Sequence, residues 1–355
     1  MKEQLIYFIG YPTHDWIFAL RMDIKNFTRR DIIHMGLVTG LSTITGCRNL
    51  EKKPILASIE GTLPVKLIRT LPPSWKYETI DIKSISSPFR DLIKQQASVI
   101  AINDGWISSL PNQLIAPFPP IPIASTFDNQ AKFFIDSFGQ EYSNRILPIG
   151  VSPWVMLFRN GENWFKEAML NWDVLLNSNL KGSIVLPNSP RLVMSLAKNM
   201  SDPFAFDKLR SNCTIYDDRN ALNWLLAGKV KVAVLPLVRC WKSLISDPRL
   251  RAILPETGSP LSWTVLVRTR NDFQVPILID WLEKSWNEPL VQYLLSKGWV
   301  PPLEHSKLEK YKNYIGDKYG SILIPSNSIW NKCWSLPPLD EREKINLEKL
   351  WLNLD

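Results

Sequence analysis

Residues 171–191 read NWDVLLNSNLKGSIVLPNSPR, and this stretch decides the fold. Continued back to Trp164, its first half keeps apolar residues at helical spacing, which predicts a helix over 164–178. Gly182 breaks that pattern, and Ile184, Val185 and Leu186 form the short continuous apolar run of a strand buried on both faces. Pro187 to Pro190 make a turn, after which RLVMSLAKNM returns to helical spacing over 191–200. Helix, strand and helix in so short a span is the alternation of an α/β domain with a mostly parallel sheet.

The same alternation continues in both directions. Downstream, ALNWLLAGK (221–229) is predicted as a helix, and VKVAVLPLV (230–238) and LSWTVLVRT (261–269) as strands. Two helices follow, VPILIDWLEKSWN and PLVQYLLSKG, with Gly298 as the C-cap and Pro301-Pro302 as the stop. Upstream, ILPIGVSPWVMLFRN (146–160) is a long strand, and the Pro-rich 116–124 is an irregular connection. Before it, PILASIEG (54–61), Tyr77 to Ile85 and ASVIAINDGW (97–106) read as strands, separated by helices over 64–70 and 88–97. Two α/β lobes fit this order better than one large sheet.

The N-terminal region has a different design. Arg29 and Arg30 form the cationic pair of a twin-arginine export signal, and Met35 to Gly46 is an apolar run too short to span a bilayer. Ile44-Thr45-Gly46-Cys47 is similar to a lipobox, in which Cys47 would carry the lipid. Residues 1–46 are therefore expected to be an export signal and 47–53 a lipid-anchored tether. Met22 opens a compact basic segment, so residues 1–21 are expected to precede the true start.

These assignments change the meaning of the composition. The 355-residue chain carries a net charge of +8, a balance that ordinarily points to nucleic acid or an anionic membrane. Basic and acidic residues nearly cancel within the leader, so the positive charge belongs to the folded body, which lies outside the membrane where no genome is present. His14 and His34 fall in the leader and leave His305 alone, which disfavours His-based metal sites and Ser-His-acid catalysis. Cys213, Cys240 and Cys333 are widely spaced; a Cys213–Cys240 disulfide and buried free thiols are both open. The excess is in aromatic surface, with 15 Trp. Trp172, Trp281, Trp286 and Trp351 lie at helical spacing among Leu and Ile and are expected in the core.

Taken in order, several diffuse motifs resemble the extracytoplasmic solute-binding proteins of ABC importers, in the branch that includes spermidine/putrescine-binding proteins. The stretches are SVIAINDGWISSLPNQLIAPF, LPIGVSPWVMLFRN, NWDVLLNSNLKGSIVLPNSPR, LSWTVLVRT and LVQYLLSKGWVPP. The resemblance implies an α/β, two-lobed periplasmic-binding-protein fold of type II, each lobe a mostly parallel sheet flanked by helices around a hinged cleft. It divides the chain into lobe one (54–145 and 265–302), lobe two (146–264) and a C-terminal helical segment (303–355).

It further implies a small-molecule solute, with a polyamine-like cation favoured, an ABC permease as partner and a monomer. Membrane attachment is through the lipid, in the periplasm, and no nucleic acid, cofactor, metal or catalysis is implied. Candidate ligand contacts at strand ends are Glu60, Thr62, Asp104 and Trp106 from the first lobe, and Trp154, Tyr216 with Asp217, Trp263 and Thr264 from the second. Trp rings with a carboxylate suit an organic cation through cation–π contact and charge-assisted hydrogen bonds. The branch places a tryptophan and an aspartate where Ser262 and Thr264 stand, and Pro236 and Arg239 also depart from it. Ferric-iron binding, an enzyme on the same fold and an assembly lipoprotein without a ligand site are the alternatives.

Overall fold

The computed structural model describes residues 53–80, 97–270, 278–336 and 338–352. The export signal with Arg29 and Arg30, the tether with Cys47, all but the last residue of the helix predicted over 88–97, the end of the second predicted strand and the start of the helix predicted from Val275 lie outside these residues.

Strands β1 (Ile55–Ile59), β2 (Lys76–Ile80) and β3 (Val99–Asn103) are parallel, with β1 in the middle. All five residues of β1 and the first four of β3 are buried, as apolar runs covered on both faces must be. A two-residue strand β4 (Ile115–Ala116) lies further along. The chain then enters β5 (Ile146–Arg159), whose fourteen residues join the two halves. Its first part pairs with β10 (Pro260–Thr269) and its last part with β8 (Val232–Pro236) and β9 (Leu250–Ile253). Strands β6 (Ile184–Leu186) and β7 (Cys213–Tyr216) complete the second half. The order β2-β1-β3-β10-β5-β8-β6-β7 is hydrogen-bonded throughout, so the expectation of two lobes with separate, mostly parallel sheets is corrected: the antiparallel β10 and β5 join both units into one large sheet. Strands β4 and β11 (Trp334–Ser335) pair with β10 off this path.

Two prolines mark where β5 bends. Pro148 pairs with Val265 at a register shift beside the Gly150–Thr264 pair, so the missing N–H falls at a bulge. Pro153 is the last residue paired with β10 before Trp154 takes up β8. Between them, Gly150 lies against the Trp299 indole, with no room for a Cβ. Gly298, at φ 79°, ends the Leu290–Ser296 helix as predicted and leaves space for Trp241, which donates its indole N–H to Ser296 O at 2.9 Å.

One apolar core runs from β1–β3 across to β5 and β8, and a second fills the opposite face of β5, β6 and β8. Trp172, Trp281 and Trp286 lie in these cores. Trp351 is only half-buried, packed beside Tyr216 and Phe206. The helix predicted over 164–178 is broken: Phe165–Leu170 is α-helical, and a 3-10 turn follows over Trp172–Leu176. Asn171 is extended there and its side chain accepts from Asp173 N, a local bond that competes with helix propagation. The strand predicted to Val238 stops at Pro236, because Leu237–Ser246 is helical and Pro236 serves as its N-cap. Cys213, Cys240 and Cys333 are free, so the Cys213–Cys240 disulfide does not form. Burial pushes the Cys240 and Cys333 thiols up to about 12.

The last segment ties the two halves together. Asp128 Oδ2 accepts from Trp330 Nε1 at 2.5 Å, and Gln130 Nε2 donates to Trp330 O and Cys333 O at 3.0 and 2.9 Å. His305 stacks on Trp330 at 4.1 Å. The chain then forms β11 on β10 and ends in the Glu341–Leu352 helix.

Candidate functional site between opposing strand ends

The register of β5 locates the site. Gly150 pairs with Thr264, which also faces Asn103 at the carboxyl end of β3. Trp154 pairs with Pro236 at the carboxyl end of β8, and β6 and β7 run parallel to β8. The carboxyl ends of both strand sets therefore point at each other, separated along β5 by the four residue steps from Gly150 to Trp154, about 13 Å at an ordinary strand rise. In open α/β sheets this is where ligands collect.

Asp104 follows β3 directly and so stands at the edge of this gap. Its carboxylate is 6% exposed; Oδ1 accepts from Trp263 N at 3.0 Å, and Oδ2 lies 3.6 Å from Arg191 Nη1. Arg191 comes from the opposite half, in the first turn of the Pro190–Lys198 helix that follows β6, with Ser189 as N-cap. Its Nη2 also donates to Leu336 O, just past β11. Burial is the larger influence on both groups, raising the Asp104 pKa and lowering that of Arg191, while their mutual attraction opposes each shift. Arginine remains protonated in proteins, and its guanidinium lies within ion-pair distance of the Asp104 carboxyl.

The C-terminal segment forms one wall of the gap. Strand β3 ends opposite Thr264, and β11 pairs with β10 beyond it, at Pro260 and Leu261. Ser335 Oγ accepts from Trp263 Nε1 at 2.9 Å, and Trp334 Nε1 donates to Ser195 Oγ at 2.9 Å. From the last helix, Lys344 Nζ donates to Ser108 O at 3.1 Å, two residues from Trp106, while the Trp351 ring meets Tyr216 edge-on at 4.6 Å.

The other predicted contacts separate into groups. Trp106, just past β3, and Trp154, within β5 opposite the carboxyl end of β8, are half-buried and pack against the two apolar cores, and the buried Trp154 Nε1 has no hydrogen-bond partner among the described residues. Glu60 is exposed beyond β1 and Thr62 is half-buried in the turn after it. Tyr216 lies at the end of β7 beneath Trp351, and burial raises its phenol pKa. Asp217 is taken up by a local turn, accepting from the N–H groups of Arg219 and Asn220 at 3.0 and 3.1 Å. Asp218 pairs with Arg239, which the structure places in the first turn of a helix instead of on a strand. Trp263 is fully buried and stacks on Phe134 at 4.8 Å, so its ring does not line the gap; Thr264 is 8% exposed.

Sequence reasoning passes over Arg191 and residues 334–336. A signal for Arg191 is present: the first turn of a helix repels cations through the macrodipole, so an arginine there, beside a strand carboxyl end, calls for an anionic partner. No comparable signal marks Leu336, whose role depends on its backbone carbonyl.

This mixed α/β architecture, a large sheet flanked by helices with its two halves joined through crossing strands, matches the fold of the periplasmic binding proteins. The spermidine/putrescine ABC transporter substrate-binding protein PotD from Streptococcus pneumoniae superposes with a TM-score of 0.65 at 16% identity, over 85% of this chain and 98% of that one. The Tp0655 (TpPotD) lipoprotein of Treponema pallidum superposes at 0.55 with 10% identity, over 84% and 98%. A Bordetella ferric binding protein gives 0.53 at 14% identity, over 77% and 97%. No protein-family model matches the chain, and no curated protein matches it by sequence.

Proposed function

We propose that this protein is the substrate-binding component of an ABC importer, taking a small organic solute between its two halves and delivering it to a membrane permease. The observation that carries this reading is the confrontation of strand carboxyl ends across Gly150–Trp154, in a fold whose solved examples include substrate-binding proteins. In this reading the half-buried Trp106 and Trp154 supply the aromatic contacts and Asp104 the buried carboxylate, with Glu60, Thr62, Tyr216 and Thr264 as further contacts. Aromatic faces and a desolvated carboxylate favour a polyamine-like cation. Among the described residues no helix is long and apolar enough to cross a membrane. Export through Arg29 and Arg30 and a lipid on Cys47 complete the reading, with the folded body periplasmic and monomeric.

Closure of a tryptophan-lined cleft changes indole emission. Intrinsic fluorescence of the folded protein is titrated with putrescine, spermidine, amino acids, betaines and ferric iron. A saturable change with an organic cation is expected. A flat response to the whole panel contradicts the assignment.

A further inference from the structure

The Asp104 carboxylate already has a cation, and it belongs to the chain. Arg191 reaches it from the opposite half and is itself anchored to Leu336 O. With Arg191 only 15% exposed and Asp104 6%, the pair crosses the gap in a desolvated setting, where Coulomb attraction is strongly felt. In an ordinary two-lobed clamp the closed state depends on a ligand that contacts both halves. Here one side chain makes such a contact from within. Asp104 is also tied to β10 through Trp263 N, so it is not free to swing toward a second partner while Arg191 stays in place.

We propose that Arg191 is a specificity-determining latch: its guanidinium occupies the cation position on Asp104, holds the two halves together without solute, and must be displaced before a solute ammonium can bind. This rests on the solute-binding reading above and refines it. Displacement sets a threshold that a monoamine, with one charge to offer, meets less readily than a polyamine whose other ammonium groups gain contacts elsewhere in the gap. The latch thus selects against small monovalent cations and lowers affinity for all of them.

The test compares the full chain with Arg191→Gln, Arg191→Lys and Arg239→Gln by calorimetric titration with putrescine and spermidine, alongside small-angle scattering without solute. Arg191→Gln is expected to bind polyamine about tenfold more tightly or better, because a competing state has been removed. It is also expected to show a larger radius of gyration. Arg191→Lys, shorter and without the fork that reaches Leu336 O, should gain about threefold. Arg239→Gln removes an equal charge from the pair with Asp218 and should stay near the parent, which excludes a general charge effect.

Equal or weaker polyamine binding by Arg191→Gln overturns the latch while leaving the importer reading intact, and so does a matching gain in Arg239→Gln. Should Arg191→Gln fail to fold, Arg191→Lys decides: no gain overturns the proposal. If no chain binds any polyamine, the polyamine reading fails and scattering decides the latch. Expansion confined to Arg191→Gln then supports it, and an unchanged radius overturns it.

Discussion

Arg191 Nη1 and Asp104 Oδ2 stand 3.6 Å apart, although the two residues follow strands of opposite halves of the sheet. Removing one partner strands the other as a buried charge, which costs more than the pair itself contributes. Asp104→Ala also leaves Trp263 N without its acceptor. The variant is expected to lose roughly 3 kcal/mol in urea unfolding. Because the two groups share one interaction, the double variant Asp104→Ala/Arg191→Met should recover part of that loss.

Gly150 tests the join between the halves. A methyl group there would enter the Trp299 ring, beside the β-bulge at Thr264–Val265. Gly150→Ala is expected to destabilise by roughly 1–3 kcal/mol, measured as a lowered thermal midpoint.

Much of this architecture is legible in the amino-acid sequence. Continuous apolar runs such as ILASI and VIAI mark buried parallel strands, and Gly298 with Pro301-Pro302 marks a helix end. Asp104 is recognisable as a strand-end carboxylate, but its neighbours are not. Trp263 looks like a ligand contact because it lies on the crossing strand; strand alternation instead turns its ring onto Phe134. Partners distant in sequence, such as Arg191 and Leu336 O, meet only once the sheet is assembled and β11 has paired with β10, with no local pattern to announce it.

Acid stability should expose two opposed buried groups beneath the C-terminal segment. Burial raises Asp128 from its ordinary 3.8 to about 6, so between these values the native state holds the extra proton and stability falls as pH rises. Burial lowers His305 from 6.5 to about 4, so the unfolded state holds the extra proton and stability falls as pH drops. The two slopes oppose each other from about pH 4 to 6 and largely cancel. Asp128→Asn should therefore lose roughly 3 kcal/mol as pH falls from about 6.5 to about 4, and His305→Phe should lose a similar amount as pH rises over nearly the same range. Urea unfolding at stepped pH measures both.

The Glu341–Leu352 helix is held to the second half by Trp351, which contacts Tyr216 and Phe206 and lies 6.0 Å from Arg210. Trp351→Ala removes a half-buried ring, worth about 2 kcal/mol of local stability. Amide exchange within that helix is expected to rise by roughly thirtyfold, with exchange in β1 and β3 unchanged.

Native mass spectrometry of the folded chain, before and after incubation with putrescine and spermidine, tests the solute-binding assignment most directly. One small molecule per chain is expected, carried through purification or gained on incubation and lost on denaturation. A bare chain mass in every condition, from protein with an intact near-UV spectrum, would contradict it.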